Sequence, residues 1–124
     1  MKLIWILTSL LLLTACTGDQ EWSPPTQQWQ ELSIKIETRP SPVREGMNEF
    51  LVMINHPKVR FLKDLMVHVK TEHSDWAQAM PDGALGVYRR ALLVKVPAKE
   101  HLQVRLDYQG KQGELEFALV PAAH

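Results

Sequence analysis

The sequence predicts an all-β fold, a single Ig-like antiparallel β-sandwich over residues 31–124 that follows a leader and a flexible tether. Two-residue apolar alternation, turn residues between the alternating runs and the lack of any long helical period predict it. About 90 residues suffice to fill one core between two sheets. An Ig-like Greek key suits this pattern better than a small barrel.

The elements follow in order. Leu32, Ile34 and Ile36 alternate with Ser33, Lys35 and Glu37, the pattern of a half-buried strand. Arg39-Pro40-Ser41-Pro42 ends it, and Glu45-Gly46 turns the chain. The unbroken apolar run Phe50–Ile54 predicts a central strand covered on both faces, and Asn55-His56-Pro57 stops it. Leu65, Val67 and Val69 then share one face, with Met66, His68 and Lys70 on the other. In the connection from Thr71 to Gly86, Asp75 and Gln78 have the spacing of a helix cap, and Met80-Pro81-Asp82-Gly83 fits a type I turn. Val87–Val96 reads as a strand of imperfect alternation, since Arg90 falls on the face of Tyr88, Leu92 and Val94. That implies a bulge or an edge. His101–Tyr108 alternates cleanly, Gln109–Gly113 forms a hairpin loop, and Leu115, Phe117 and Leu119 mark the last strand.

Ahead of these strands, Met1-Lys2 gives a short positive start and Leu3–Leu13 is almost wholly apolar. Eleven helical residues rise only about 16 Å against roughly 30 Å of hydrocarbon, so residues 1–15 read as a signal peptide. Leu13-Thr14-Ala15-Cys16 resembles the lipobox of bacterial lipoproteins, and Cys16 is the only cysteine in the chain. The resemblance implies cleavage before Cys16, a thioether-linked lipid there, and further acylation (palmitate) of the new N-terminus. Several acyl chains anchor where one binds marginally. Thr17 is not the Asp that retains lipoproteins in the inner membrane, which implies the outer membrane, facing the periplasm, in a Gram-negative cell. Residues 16–30 are polar, with Pro24-Pro25 and several Gln, and read as the tether. Trp22 and Trp29 fit either the lipid interface or packing on the domain.

Pro42–Gly46 followed by Asn48–Ile54, and later Asp82–Arg89 with its glycine-x-tyrosine strand entry, are similar to the FixH/YtkA-like family. The resemblance covers roughly residues 32–120. It implies an Ig-like periplasmic or extracellular domain, in some members linked to copper supply for respiratory oxidases. The chain departs from FixH in carrying a lipobox instead of a membrane-spanning helix and in having a sparser Met cluster.

Function classes narrow further by charge and motif. Fourteen basic and fourteen acidic side chains give a formal net charge of zero, which excludes the basic excess of a nucleic-acid binder. No Gly-x-Ser-x-Gly, His-Glu-x-x-His, phosphate loop or Cys-x-x-Cys occurs, and His73-Ser74-Asp75 is only a local grouping, so the expectation is a protein that is not an enzyme. Imidazole and thioether donors suit copper, and Met66, His68, His73 and Met80 are the candidate ligand set. Packing and loop roles are the plainer reading of each. For a protein partner in the envelope, Trp76, Tyr88 and Arg89 are the candidate contacts, Trp76 as an anchor or as a plug at the end of the core. The expected function is therefore a lipid-anchored, non-catalytic binding or accessory module of the cell envelope. The alternative is copper handling for an oxidase.

Overall fold

The computed structural model describes residues 22–83 and 85–122. The leader expected over 1–15 and the lipidation expected at Cys16 fall outside the described residues. The strands are β1 (Gln27–Trp29), β2 (Leu32–Arg39), β3 (Gly46–Asn55), β4 (Leu65–Lys70), β5 (Ala77–Gln78), β6 (Met80–Pro81), β7 (Val87–Val94), β8 (His101–Tyr108) and β9 (Lys111–Ala118). They form two antiparallel sheets, β1-β2-β3-β7-β6 and β5-β4-β8-β9. The order β2-β3-β7-β6 is the A-B-E-D sheet of an Ig-like domain, and β4-β8-β9 is its C-F-G sheet. The chain is a β-sandwich.

Alternation decides what the sheets enclose. Leu32, Ile34 and Ile36 of β2 and Phe50, Val52 and Ile54 of β3 face Val67 and Val69 of β4, Leu102, Val104 and Leu106 of β8, and Phe117 of β9; all are essentially inaccessible. Each such side chain contributes about 1.5–3 kcal/mol by leaving water. On the opposite face of β3, Leu51 is buried too. The register sets it between Glu37 and Arg89, whose long side chains flank it without a further layer. The double covering expected of Phe50–Ile54 thus comes from neighbouring side chains.

Both sides of the sandwich are closed by short segments that the sequence reading placed elsewhere. The polar stretch expected to be tether through Gln30 ends in β1, which pairs with β2, so the folded domain starts before Glu31. Trp29 packs against the core, and its indole lies over Gly113 of β9: a Cβ at Gly113 would stand 2.1 Å from Trp29 Nε1. Gln27 Nε2 also donates to the Glu116 carbonyl at 2.6 Å. On the other side Ala77–Pro81 forms neither a helical turn nor a type I turn. Ala77 and Gln78 pair with β4, the Ala79 amide donates to the Val67 carbonyl at 2.8 Å, and Met80 and Pro81 pair with β7. The segment steps from one sheet to the other with Ala79 buried at the crossing.

Two further boundaries move. β7 ends at Val94, and its irregular alternation reflects an edge: β6 covers it only at Tyr88 and Arg89, and Arg90, opposite buried Phe50, stays exposed. The β8–β9 hairpin turns on Gln109 (φ 51°) and Gly110 (φ 78°) alone, the two positive φ values of a type I′ turn. Gly113 belongs to the strand, across from Leu106.

Filling the Gly113 site tests the closure. Gly113→Ala is expected to displace the Trp29 indole and cost about 1–3 kcal/mol in urea unfolding, as overpacking does. A Trp29 indole NMR resonance unmoved by the substitution would show that the contact does not exist.

Candidate functional site

The two ends of the sandwich differ in chemistry. One end, the base, collects the described N-terminus, the β2–β3 connection, the β4–β5 and β7–β8 loops and the C-terminal residues. At that end Ser41 Oγ donates to the Trp22 carbonyl at 3.2 Å. The other end, the tip, collects the β1–β2 turn, the β3–β4 loop 56–64, the β6–β7 loop and the β8–β9 turn. The Gln109 amide points to the Asp64 carbonyl there at 3.4 Å.

At the base, two Glu-His dipeptides cross-pair. His73 Nδ1 lies 2.8 Å from Glu100 Oε1, while the His101 amide donates to Glu72 and His101 Nδ1 lies 3.1 Å from Glu72 Oε1. Glu100 is buried and its second oxygen accepts from the backbone amides of Lys95 (2.6 Å) and Val96. Burial alone would push this carboxyl up, but the hydrogen bonds from His73, Val96 and Lys95 outweigh it and hold Glu100 below the usual carboxylate range. An ionised carboxylate only accepts, so His73 Nδ1 carries the proton. Thr71, also buried, donates to the Leu93 carbonyl at 2.6 Å and joins the two sheets at the same end.

Among the described residues, one set of His and carboxylate side chains has metal-ligand spacing. Donor atoms of Glu72, His101 and Glu116 lie within 4.8 Å of one another. Glu72 is already committed to the His101 amide and ring, and both glutamates are open to water. The geometry is that of a clasp between the β4–β5 loop and strands β8 and β9.

The tip is built differently. His56 fixes the start of loop 56–64: its Nδ1 accepts from the amides of Lys58 (3.0 Å) and Val59 (3.1 Å). Nδ1 is therefore unprotonated, and Nε2 donates to Glu31 Oε2 at 2.8 Å. Across from it the β6–β7 loop is pinned by Gly86 (φ 76°), whose carbonyl accepts from the Ile54 amide at 2.7 Å. A Cβ there would stand 2.3 Å from the Ile54 carbonyl oxygen, so only glycine fits. Between these anchors the chain leaves large apolar side chains in water: Phe61 is 64% exposed, Leu85 56% and Val59 43%. Two shallow grooves of about 290 and 150 Å³ flank them and share Arg60, Leu62 and Leu85 as walls.

The candidate ligands and contacts read from sequence fall in several places. Met66 and His68 share the outer face of β4, while His73 is engaged by Glu100 and Met80 sits in β6 of the other sheet. Of the four, Met66 and His68 share one face. Trp76 lies on the outer side of the four-stranded sheet, with Arg105 Cζ 4.1 Å and Lys70 Nζ 5.8 Å from its ring. It stands outside the core and does not plug it. Arg89 is held by Asp82 (2.7 Å) and lies 3.9 Å from Glu49. Tyr88 is half-buried, lines the smaller groove, and burial pushes its phenol up. Of the three proposed contacts only Tyr88 reaches the tip. Sequence reasoning missed Val59, Phe61 and Leu85, although Phe61 stands between Arg60 and Lys63 outside any alternating run.

Compared with known proteins, the chain matches no family model, no curated protein and no solved structure.

Two measurements check this geometry. Gly86→Ala should cost more than about 2 kcal/mol, combining a left-handed backbone with a collision against β3, whereas Gly83→Ala, with open space at its Cβ, should cost about 1 kcal/mol. Equal costs would refute the close approach of Gly86 to Ile54. For Glu100 the depressed carboxyl stabilises the fold above its unfolded value of about 4.3, and that contribution fades as pH falls through and below it. Glu100→Gln should destabilise the neutral protein by about 1–3 kcal/mol, and the gap to the parent should narrow below about pH 4. A gap independent of pH would mean the carboxylate charge does not matter.

Proposed function

We propose that this protein is a lipid-anchored, non-catalytic binding module of the cell envelope, and that it engages a protein partner through the tip of its sandwich. One observation carries the reading. Three large exposed apolar side chains, Val59, Phe61 and Leu85, gather at the end of the domain opposite the one where Trp22 enters, while Met47 and Val96 are exposed toward the base. β3 alone spans ten residues, about 33 Å, between those ends. Trp22 lies six positions after Cys16, a reach of at most about 20 Å. An acylated Cys16 would thus hold the base near the bilayer and present the tip away from it.

The base supports the same division, since its loops are tied down by Glu100, Thr71 and the Glu72–His101 pair. The resemblance to FixH/YtkA-like domains belongs to this proposal, as does placement on the periplasmic face of an outer membrane. Copper handling is the second reading, and of its four candidate ligands Met66 and His68 share one face of β4 while His73 is engaged by Glu100.

The test is made in cells that express the chain. Metabolic palmitate labelling should appear on the parent and vanish in Cys16→Ser. A photo-cross-linking residue at 61 or 85 should capture a discrete protein band, while one at 35 or 103, on the outer faces of the sheets, should not. Capture from all four positions alike, or from none, would overturn docking through the tip; unlabelled parent would overturn the anchor.

A further inference from the structure

The tip carries a charge pattern as well as an apolar one, and its cations are uncommitted. Loop 56–64 contains Pro57-Lys58-Val59-Arg60-Phe61-Leu62-Lys63-Asp64, three cations against one carboxylate in a chain whose overall charge is zero. Lys58, Arg60 and Lys63 are all exposed, and none of them joins an ion pair among the described residues. Of the acids around the tip, Glu31 accepts from His56 and Asp82 holds Arg89, which leaves Asp64 of the loop itself against three cations. The positive charge is left facing water beside Val59, Phe61 and Leu85.

We infer that the tip binds an acidic, apolar segment of a protein partner, an inference that rests on the docking reading above and names the chemistry of its partner. Carboxylates of that segment would lie against Lys58, Arg60 and Lys63, and its apolar side chains in the grooves flanking Arg60. Arg60 suits the central place, because it walls both grooves and its planar guanidinium pairs bidentately with a carboxylate. The shallowness of both grooves favours side chains over a free small molecule, since a small-molecule site encloses most of its ligand. Groove shape favours a protein over a bilayer. A lipid surface would leave the two concavities unfilled, and the tip lies at the far end of the domain from the chain's entry.

The experiment uses the full chain and three probes: a fluorescent peptide of repeating Asp-Leu-Glu-Phe, its counterpart of repeating Lys-Leu-Arg-Phe, and vesicles of phosphatidylcholine with phosphatidylglycerol. Anisotropy should report binding of the acidic peptide that weakens with added salt, and little binding of the basic one. The combined substitution Lys58→Glu, Arg60→Glu and Lys63→Glu should weaken the acidic peptide at least tenfold. Phe61→Ser should weaken it similarly while leaving the salt dependence in place, and Lys35→Glu, on the outer face of β2, should change nothing. Equal binding of both peptides, an unaffected triple variant, or binding to vesicles in place of peptide would each overturn the inference. If tip cross-links to a cellular protein persist in the triple variant, docking through the tip stands and only the acidic partner falls.

Discussion

Two sheets must stay face to face here without a covalent link. The single cysteine precedes the domain, so no disulfide joins the sheets, and the apolar layer between them supplies the main attraction. A sandwich of this size has little margin, and water entering along either open side would undo the burial at Phe50, Leu102 or Phe117. Each side is accordingly closed by a short piece of chain. Trp29 reaches over Gly113 on one side, and the Ala77–Pro81 crossing spans the sheets on the other. Gly113 and Ala79 work by being small. The first makes room for an indole, the second for a backbone that changes sheets.

The same closure separates the ends. At the base, buried polar groups must find partners, and they find them across loops: Glu100 with two amides and His73, Thr71 with the Leu93 carbonyl, Asn48 with the backbone of Arg44 and Gly46. Those bonds fix the base from within. At the tip the roots of the loops are fixed by His56 and Gly86 and Leu62 packs on the core, while Val59, Phe61 and Leu85 leave much of their apolar surface in water. Folding alone gives no reason for a Phe to stand in water at the apex of a loop. Together with Val59 and Leu85 it forms an apolar surface that points outward, to another molecule.

Much of the fold was legible because burial on one face enforces period two. β2, β8 and the latter half of β9 announce themselves through Leu32-Ile34-Ile36, Leu102-Val104-Leu106 and Leu115-Phe117. Segments whose role is to close sides carry no such period. β1 is Gln-Gln-Trp and looks like linker, and Ala77–Pro81 is too short and too mixed to show alternation, so local cap and turn signals spoke louder than the distant pairing that won. Gly113 looked like a turn because its reason for being small is Trp29, more than eighty positions away. The site was less legible for a related cause. Soft donors such as Met66, His68 and Met80 can be picked out by type, but whether they converge depends on which sheet each joins. Exposure at Phe61 is a property of the folded chain that no local pattern marks.

Arg90 explains why the loops, and not a strand, are left to meet a partner. An Ig-like sheet with an uncovered edge invites strand addition, and β7 beyond Arg89 is uncovered by β6. Yet Arg90 sits at a core-facing position opposite Phe50 with its side chain exposed, an inward-directed charge at the place where an added strand would need to pack. Thr71 takes the Leu93 carbonyl, one of the acceptors that such a strand would use. On the other sheet, β9 has Trp29 and Gln27 laid against its side. With both outer edges occupied or guarded, backbone pairing is the least accessible mode of recognition for this domain. Side-chain recognition at the tip, where apolar and basic groups alternate along one loop, is the mode its surface leaves open.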